Sequence, residues 1–209
     1  MTKKVGWALF ATMAIIIGLY PLFYLVFDQN FGLLSTKGQG LFSNTLWSFA
    51  FYTHIFSGGL ALLIGWTQFS WKIRTKNPGI HRQTGKLYVI ASLLSALTSV
   101  YIAYYATGGL IAALGFVSLG IIWFYTTLYA YLHIKKGRTI HHEKMMVFSY
   151  AACFAAVTLR IWLPLLVILF NDFFIAYKIV AWLCWVPNLL IAWVIVKIID
   201  KREINGRKN

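Results

Sequence analysis

"FYTHIFSGGLALLIGWTQFSW" (Phe51–Trp71) runs for 21 residues without an Asp, Glu, Lys or Arg. As a helix rising about 1.5 Å per residue it crosses the roughly 30 Å of hydrocarbon in a bilayer. It sits within a run of about Thr45–Trp71, and five more runs of similar length follow or precede it: about Val5–Phe27, Lys86–Thr107, Leu110–His133, Met145–Phe170 and Phe173–Val196. The 209-residue chain is 60% hydrophobic and 11% charged, where a soluble domain is about a quarter charged. Lipid offers no water to satisfy backbone groups, so these runs must be helices rather than open strands. The predicted fold class is all-α: a six-helix transmembrane bundle, with residues 1–209 as a single transmembrane domain and no soluble domain or linker.

The basic residues alternate with the spans. Lys3 and Lys4 precede the first; Lys72, Arg74, Lys76, Arg82 and Lys86 follow the second; Lys135, Lys136, Arg138 and Lys144 follow the fourth; Lys197, Lys201, Arg202, Arg207 and Lys208 end the chain. The other side of the membrane carries only Lys37. By the positive-inside rule both termini and both basic loops are expected in the cytoplasm. The net charge of +14 is then a matter of topology and anionic lipid, and calls for no nucleic-acid partner. The first span starts with two lysines like a signal peptide. Its core is too long, and no Ala-x-Ala-like site follows, so it reads as a retained helix. The outer loop Asp28–Asn44 is expected to fold back on the membrane through Phe31, Leu33, Leu34 and Leu41. Cys153 and Cys184 lie within spans and read as core thiols.

Two thresholds resemble each other: "IHRQTGKLYV" (Ile80–Val89) and "IHHEKMMVFS" (Ile140–Ser149) each place Ile-His ahead of an apolar run. Pro78-Gly79 reads as a turn and Thr84 as the N-cap of the third span. His81, His141, His142 and His133 gather at the cytoplasmic boundary, four of the five histidines in the chain. Interfacial histidines can simply solvate a boundary. Neutral imidazole is also the commonest metal ligand. Haem needs two opposed histidines on facing helices. Zinc needs three or four ligands, for which His81, His141, His142 and Glu143 are the candidates.

His54, Gly58, Ala61, Gly65 and Gln68 form one stripe of the second span. An imidazole inside a membrane is costly and reads as functional. The small residues read either as a seam against another helix or as room for a porphyrin or quinone plane. In "TLRIWLP" (Thr158–Pro164), Arg160 lies well inside the fifth span, with Pro164 expected to kink the helix beyond it. All five acids (Asp28, Glu143, Asp172, Asp200, Glu203) fall at span ends or in loops. Arg160 must therefore snorkel, cap backbone carbonyls, or meet an anion from outside the chain. Lys178 is near enough to the outer interface to snorkel. Trp47, Trp71 and Trp193 read as interfacial, and Trp123, Trp162 and Trp185 as core. No Ser/His/Asp set, carboxylate pair, His-Glu-x-x-His or glycine-rich phosphate loop is present.

The blocks "HIFSGGLALLIGWTQF" (His54–Phe69), "HRQTGKLYV" (His81–Val89), "HHEKMMVFSYA" (His141–Ala151) and "TLRIWLP" resemble a bacterial family of predicted multi-span membrane proteins whose domain has no assigned function. The similarity covers about Phe51 to Pro164 and implies a bacterial plasma-membrane location. A more distant likeness is to transmembrane b-type cytochromes, through the His-x-x-x-Gly of His81–Gly85. That likeness implies a four-helix core of spans two to five flanked by spans one and six. It also implies a haem b held by His81 with His141 or His142, an outer haem at His54, and propionates as an anion for Arg160. Spans three to six hold no second histidine in the outer half. Three readings stand: haem-mediated electron transfer linked to a quinone or redox partner, a transporter or lipid-binding protein with His54 and Arg160 lining an anion pocket, and a zinc hydrolase.

Overall fold

The structure is a computed structural model that describes residues 2–27 and 32–206. Six apolar helices of 23 to 32 residues are long enough to cross a membrane. They are α1 (Lys4–Val26), α2 (Thr45–Phe69), α3 (Pro78–Ala103), α4 (Gly109–Lys135), α5 (Thr139–Phe170) and α6 (Phe173–Arg202). No strand occurs among the described residues. Both ends of the bundle's chain lie on one face, here the terminal face; the loop before α2 lies on the far face.

α2, α3, α4 and the first half of α5 pack in a ring, each against the next, and form the four-helix core. α1 lies against α2, and α6 lies against α4 and α5. The residue pattern is that of a membrane protein. Leu97, Ile121, Ile168 and Leu190 are exposed, whereas Ala61, Ala96, Ala130, Ser92, Ser95 and Ser149 are fully buried or nearly so. Lipid tails are as apolar as leucine, so helices gain by bringing backbones close rather than by hiding large side chains.

Glycines mark the closest approaches. A Cβ on Gly59 would stand 2.7 Å from the Gly18 carbonyl of α1, and one on Gly58 would stand 2.8 Å from the Ser95 hydroxyl of α3. One on Gly65 would meet the Tyr150 ring at 2.3 Å and the Tyr88 ring at 2.8 Å. The small-residue stripe of α2 is therefore a seam for α3 and α5, with Gly59 beside it serving α1.

Several local expectations change. α3 and α5 begin ahead of their apolar runs, at Pro78 and Thr139. Pro78 occupies the first helical position, where its missing N–H costs nothing. Thr84 thus lies within the helix and donates to the Ile80 carbonyl instead of capping. The helix of α5 is interrupted at Phe154 and runs on through Pro164. Trp47 is only 2% exposed because the far loop folds over it, with Leu34 and Tyr24 in the same cluster. Trp162 faces outward at 39% exposure. Leu34 and Leu41 do pack inward; Phe31, the Leu33 side chain, Asp28, the Lys3 side chain, Arg207, Lys208 and the Glu203 side chain lie outside the described residues.

The Gly65 contact yields a prediction. Both rings facing it are tethered, Tyr150 by its hydroxyl to the Leu62 carbonyl at 3.1 Å and Tyr88 to Ser149 at 2.8 Å. Gly65→Ala should overpack the seam, at about 1–3 kcal/mol, and lower the melting temperature in detergent. Gly6→Ala, which meets nothing within 4 Å, should not.

Candidate functional site

A cavity of about 240 Å³ opens in the far half of the bundle, between α1, the core helices, α6 and the far loop. Its walls are mostly apolar, with Phe51, Ile55, Leu62, Phe116, Leu119 and Leu159 among them. Into it come His54 from α2, Arg160 from α5 and Lys37 from the loop, and among the described residues no carboxylate lines it. His54 and Arg160, singled out in the sequence as ionisable groups within apolar runs, are thus brought together.

Each of these side chains is held by the backbone. The His54 Nδ1 lies 3.0 Å from the Ser95 carbonyl oxygen, and the Ser95 hydroxyl donates back to the His54 carbonyl at 2.9 Å. A nitrogen against a carbonyl must carry the hydrogen, so the neutral ring keeps its lone pair on Nε2. The Arg160 Nη1 donates to the Ala156 carbonyl one turn earlier, at 2.9 Å, and the guanidinium lies 4.3 Å from the centre of the Tyr20 ring. Carbonyl capping and a cation–π contact thus hold the arginine. One carbonyl uses one of its five N–H donors. Lys37 donates to the Tyr105 carbonyl, and Thr36 bonds Thr107 at 3.0 Å, so the loop is tied to the α3–α4 turn above the cavity. Burial alone lowers the Lys37 ammonium from its usual range to about 8.

Sequence reasoning missed three of the lining groups: Lys37, Ser95 and Trp47. A signal for Lys37 existed, since it is the lone basic residue of its loop. Ser95 falls on the same helical face as His81 and Tyr88, a polar periodicity that marks it. Lys178 is exposed. Cys153 and Cys184 are free, buried thiols, and both reach the cavity wall.

The other four histidines collect at the terminal face. The ring centres of His133 and His141 lie 5.2 Å apart, and the His142 Nδ1 lies 2.8 Å from the Ala130 carbonyl of α4. His81 stands within electrostatic reach of His142, with Arg74 and Arg82 beside it. Glu143 is engaged with Arg74 at 3.5 Å. Among the described residues no three His, Cys, Asp or Glu side chains stand close enough together to hold a metal ion. His81, His141 and His142 lie near one another at the terminal face, where His141 is turned to His133 and His142 to backbone. His54 is the single histidine of the cavity wall.

No curated protein and no solved structure matches the chain. A family model does match, over residues 51–196, which takes in all of α3, α4 and α5 and most of α2 and α6. Together with six membrane-crossing helices, that match makes the chain a member of the family described as "Predicted membrane protein (DUF2306)".

Proposed function

We propose that the protein binds an amphipathic anion in the far-face cavity, its acidic head on Arg160 and Lys37 and its apolar part along the walls. The observation that carries this reading is the convergence of two cations and an imidazole, from three separate elements, on an apolar-walled cavity that no carboxylate among the described residues lines. An arginine so deep in a bilayer is retained where it has work to do. Its planar donors suit a carboxylate or phosphate. The distribution of basic residues supports termini in the cytoplasm, so the cavity would serve the outer leaflet. Lipid binding or transport follows from this site more directly than redox chemistry does.

Haem-linked electron transfer to a quinone draws support from the His54 ring, whose bonded Nδ1 leaves Nε2 as a ligating lone pair. A bis-histidine site would have to be built from His81 with His141 or His142, and Arg74, Arg82, Lys136 and Arg138 crowd that end with positive charge. Protein purified in detergent should therefore be colourless. A Soret band that sharpens with dithionite and disappears in His81→Ala would establish the haem instead.

Binding is measurable by the quenching of tryptophan with brominated lipid, since Trp47 and Trp123 line the cavity. Brominated phosphatidylglycerol should quench more strongly than brominated phosphatidylcholine. Arg160→Gln should weaken that preference by about tenfold or more, in line with the loss of a charge-assisted bond. Equal quenching by the two lipids, unchanged in the variant, would refute the anion site. An anion favours protonated Lys37, so affinity should hold below pH 8 and fall as pH rises through about 8. Lys37→Arg should remove that fall, because an arginine stays charged; Lys37→Gln should bind more weakly, with no fall near that pH.

A further inference from the structure

His81, Thr84, Tyr88, Ser92, Ser95 and Ser99 recur at intervals of three or four residues and share one face of α3. That face is turned into the four-helix core, where Tyr88, Ser92 and Ser95 are 0% exposed. Polar side chains of the other core helices meet it. Gln68 of α2 donates to the Thr84 hydroxyl at 2.7 Å, Tyr88 bonds Ser149 of α5 at 2.8 Å, and Ser149 bonds Thr127 of α4 at 2.6 Å. Five of the six buried polar side chains among the described residues, Gln68, Ser92, Ser95, Thr127 and Ser149, belong to this column.

Hydroxyls in membrane helices ordinarily bond to their own backbone, as Thr126 does to the Ile122 carbonyl at 2.7 Å. The column does more than that. The Ser92 hydroxyl and the Trp123 indole N–H turn toward the Tyr88 hydroxyl, and among the described residues neither meets a well-formed hydrogen-bond partner, nor does the buried Nδ1 of His81. Helix packing gains nothing from unpaired polar groups, which cost free energy in a dry interior.

We propose that this column is a proton path joining the cavity at His54 to the terminal face at His81. His54 takes a proton on Nε2 and gives up the one on Nδ1, which has the Ser95 hydroxyl at 3.0 Å as well as the carbonyl. Ser95, Ser92, Tyr88 and Thr84 each accept one proton and pass one on, across one-turn intervals of about 5–6 Å that a single water spans. His81 accepts on one ring nitrogen and releases from the other. One positive charge crosses, no heavy-atom bond changes, and nothing is oxidised or reduced. The column contains no carboxylate, so it conducts down a gradient and does not pump. The path does not depend on which ligand fills the cavity.

The test uses the full chain in liposomes that trap a pH-sensitive dye, with a potassium gradient and valinomycin to drive protons. Wild type should conduct faster than protein-free vesicles. Tyr88→Phe and Ser92→Ala, each removing one hydroxyl, should lower the rate at least tenfold, while Thr126→Val, outside the column, should match wild type. A tenfold drop in either column variant with Thr126→Val unchanged carries the proposal, and either variant suffices if the other fails to fold. A wild-type rate equal to protein-free vesicles overturns it. So do wild-type rates in both column variants, or an equal loss in Thr126→Val.

Discussion

The approach of α2 to α3 is the contact on which the other features rest. Gly58 has no Cβ, so the Ser95 side chain can fill that space and exchange hydrogen bonds with His54 on the preceding turn. The pair sets the depth of α2 against α3, fixes the imidazole tautomer, and turns the ring toward the cavity. With a larger residue at position 58, the two backbones would separate and His54 would lose its carbonyl. In lipid that loss has no remedy from solvent. One absent methyl group thus serves packing, ionisation chemistry and the shape of the cavity together.

The same economy recurs along the core. Gly65 admits the rings of Tyr88 and Tyr150, whose hydroxyls then reach across the bundle to Ser149 and the Leu62 carbonyl. Gly120 admits the Ser99 hydroxyl, 2.5 Å from where its Cβ would stand. Small residues on one helix are therefore matched with polar ones on the next. Close backbones and buried hydroxyls are two sides of one arrangement, and each makes the other affordable in a medium without water.

Much of this was legible beforehand, for identifiable reasons. Runs without charge announce helices because the bilayer allows little else, so the six spans and their alternation followed from composition. His54 and Arg160 stood out because each breaks such a run. The starts of α3 and α5 were hidden, since the polar residues from Pro78 to Lys86 and from Thr139 to Lys144 carry no hydropathy signal although the backbone is already helical. Trp47 and Trp162 exchanged their expected environments because burial depends on which face a neighbour covers, and the far loop covering Trp47 has no periodicity to read. Lys37 was visible only as a lone charge; its place over the cavity depends on tethers to Tyr105 and Thr107 that arise in three dimensions. Hydropathy gathers the terminal-face histidines at one boundary, but it leaves rotation about each helix open, and rotation decides what a ring touches.

Tyr20 lies under the Arg160 guanidinium, and it belongs to α1. The residues that match the family begin at 51, so Pro21, Tyr24 and Lys37 all precede them while still forming wall and roof of the chamber. The chamber is thereby built jointly, with His54 and Arg160 in the family-matched frame and Lys37 in the segment ahead of it. On the proposed anion-binding reading, substitutions in the leading quarter would retune which head group fits and leave the shared helical frame untouched, so kindred chains with the same frame would not have to share a ligand.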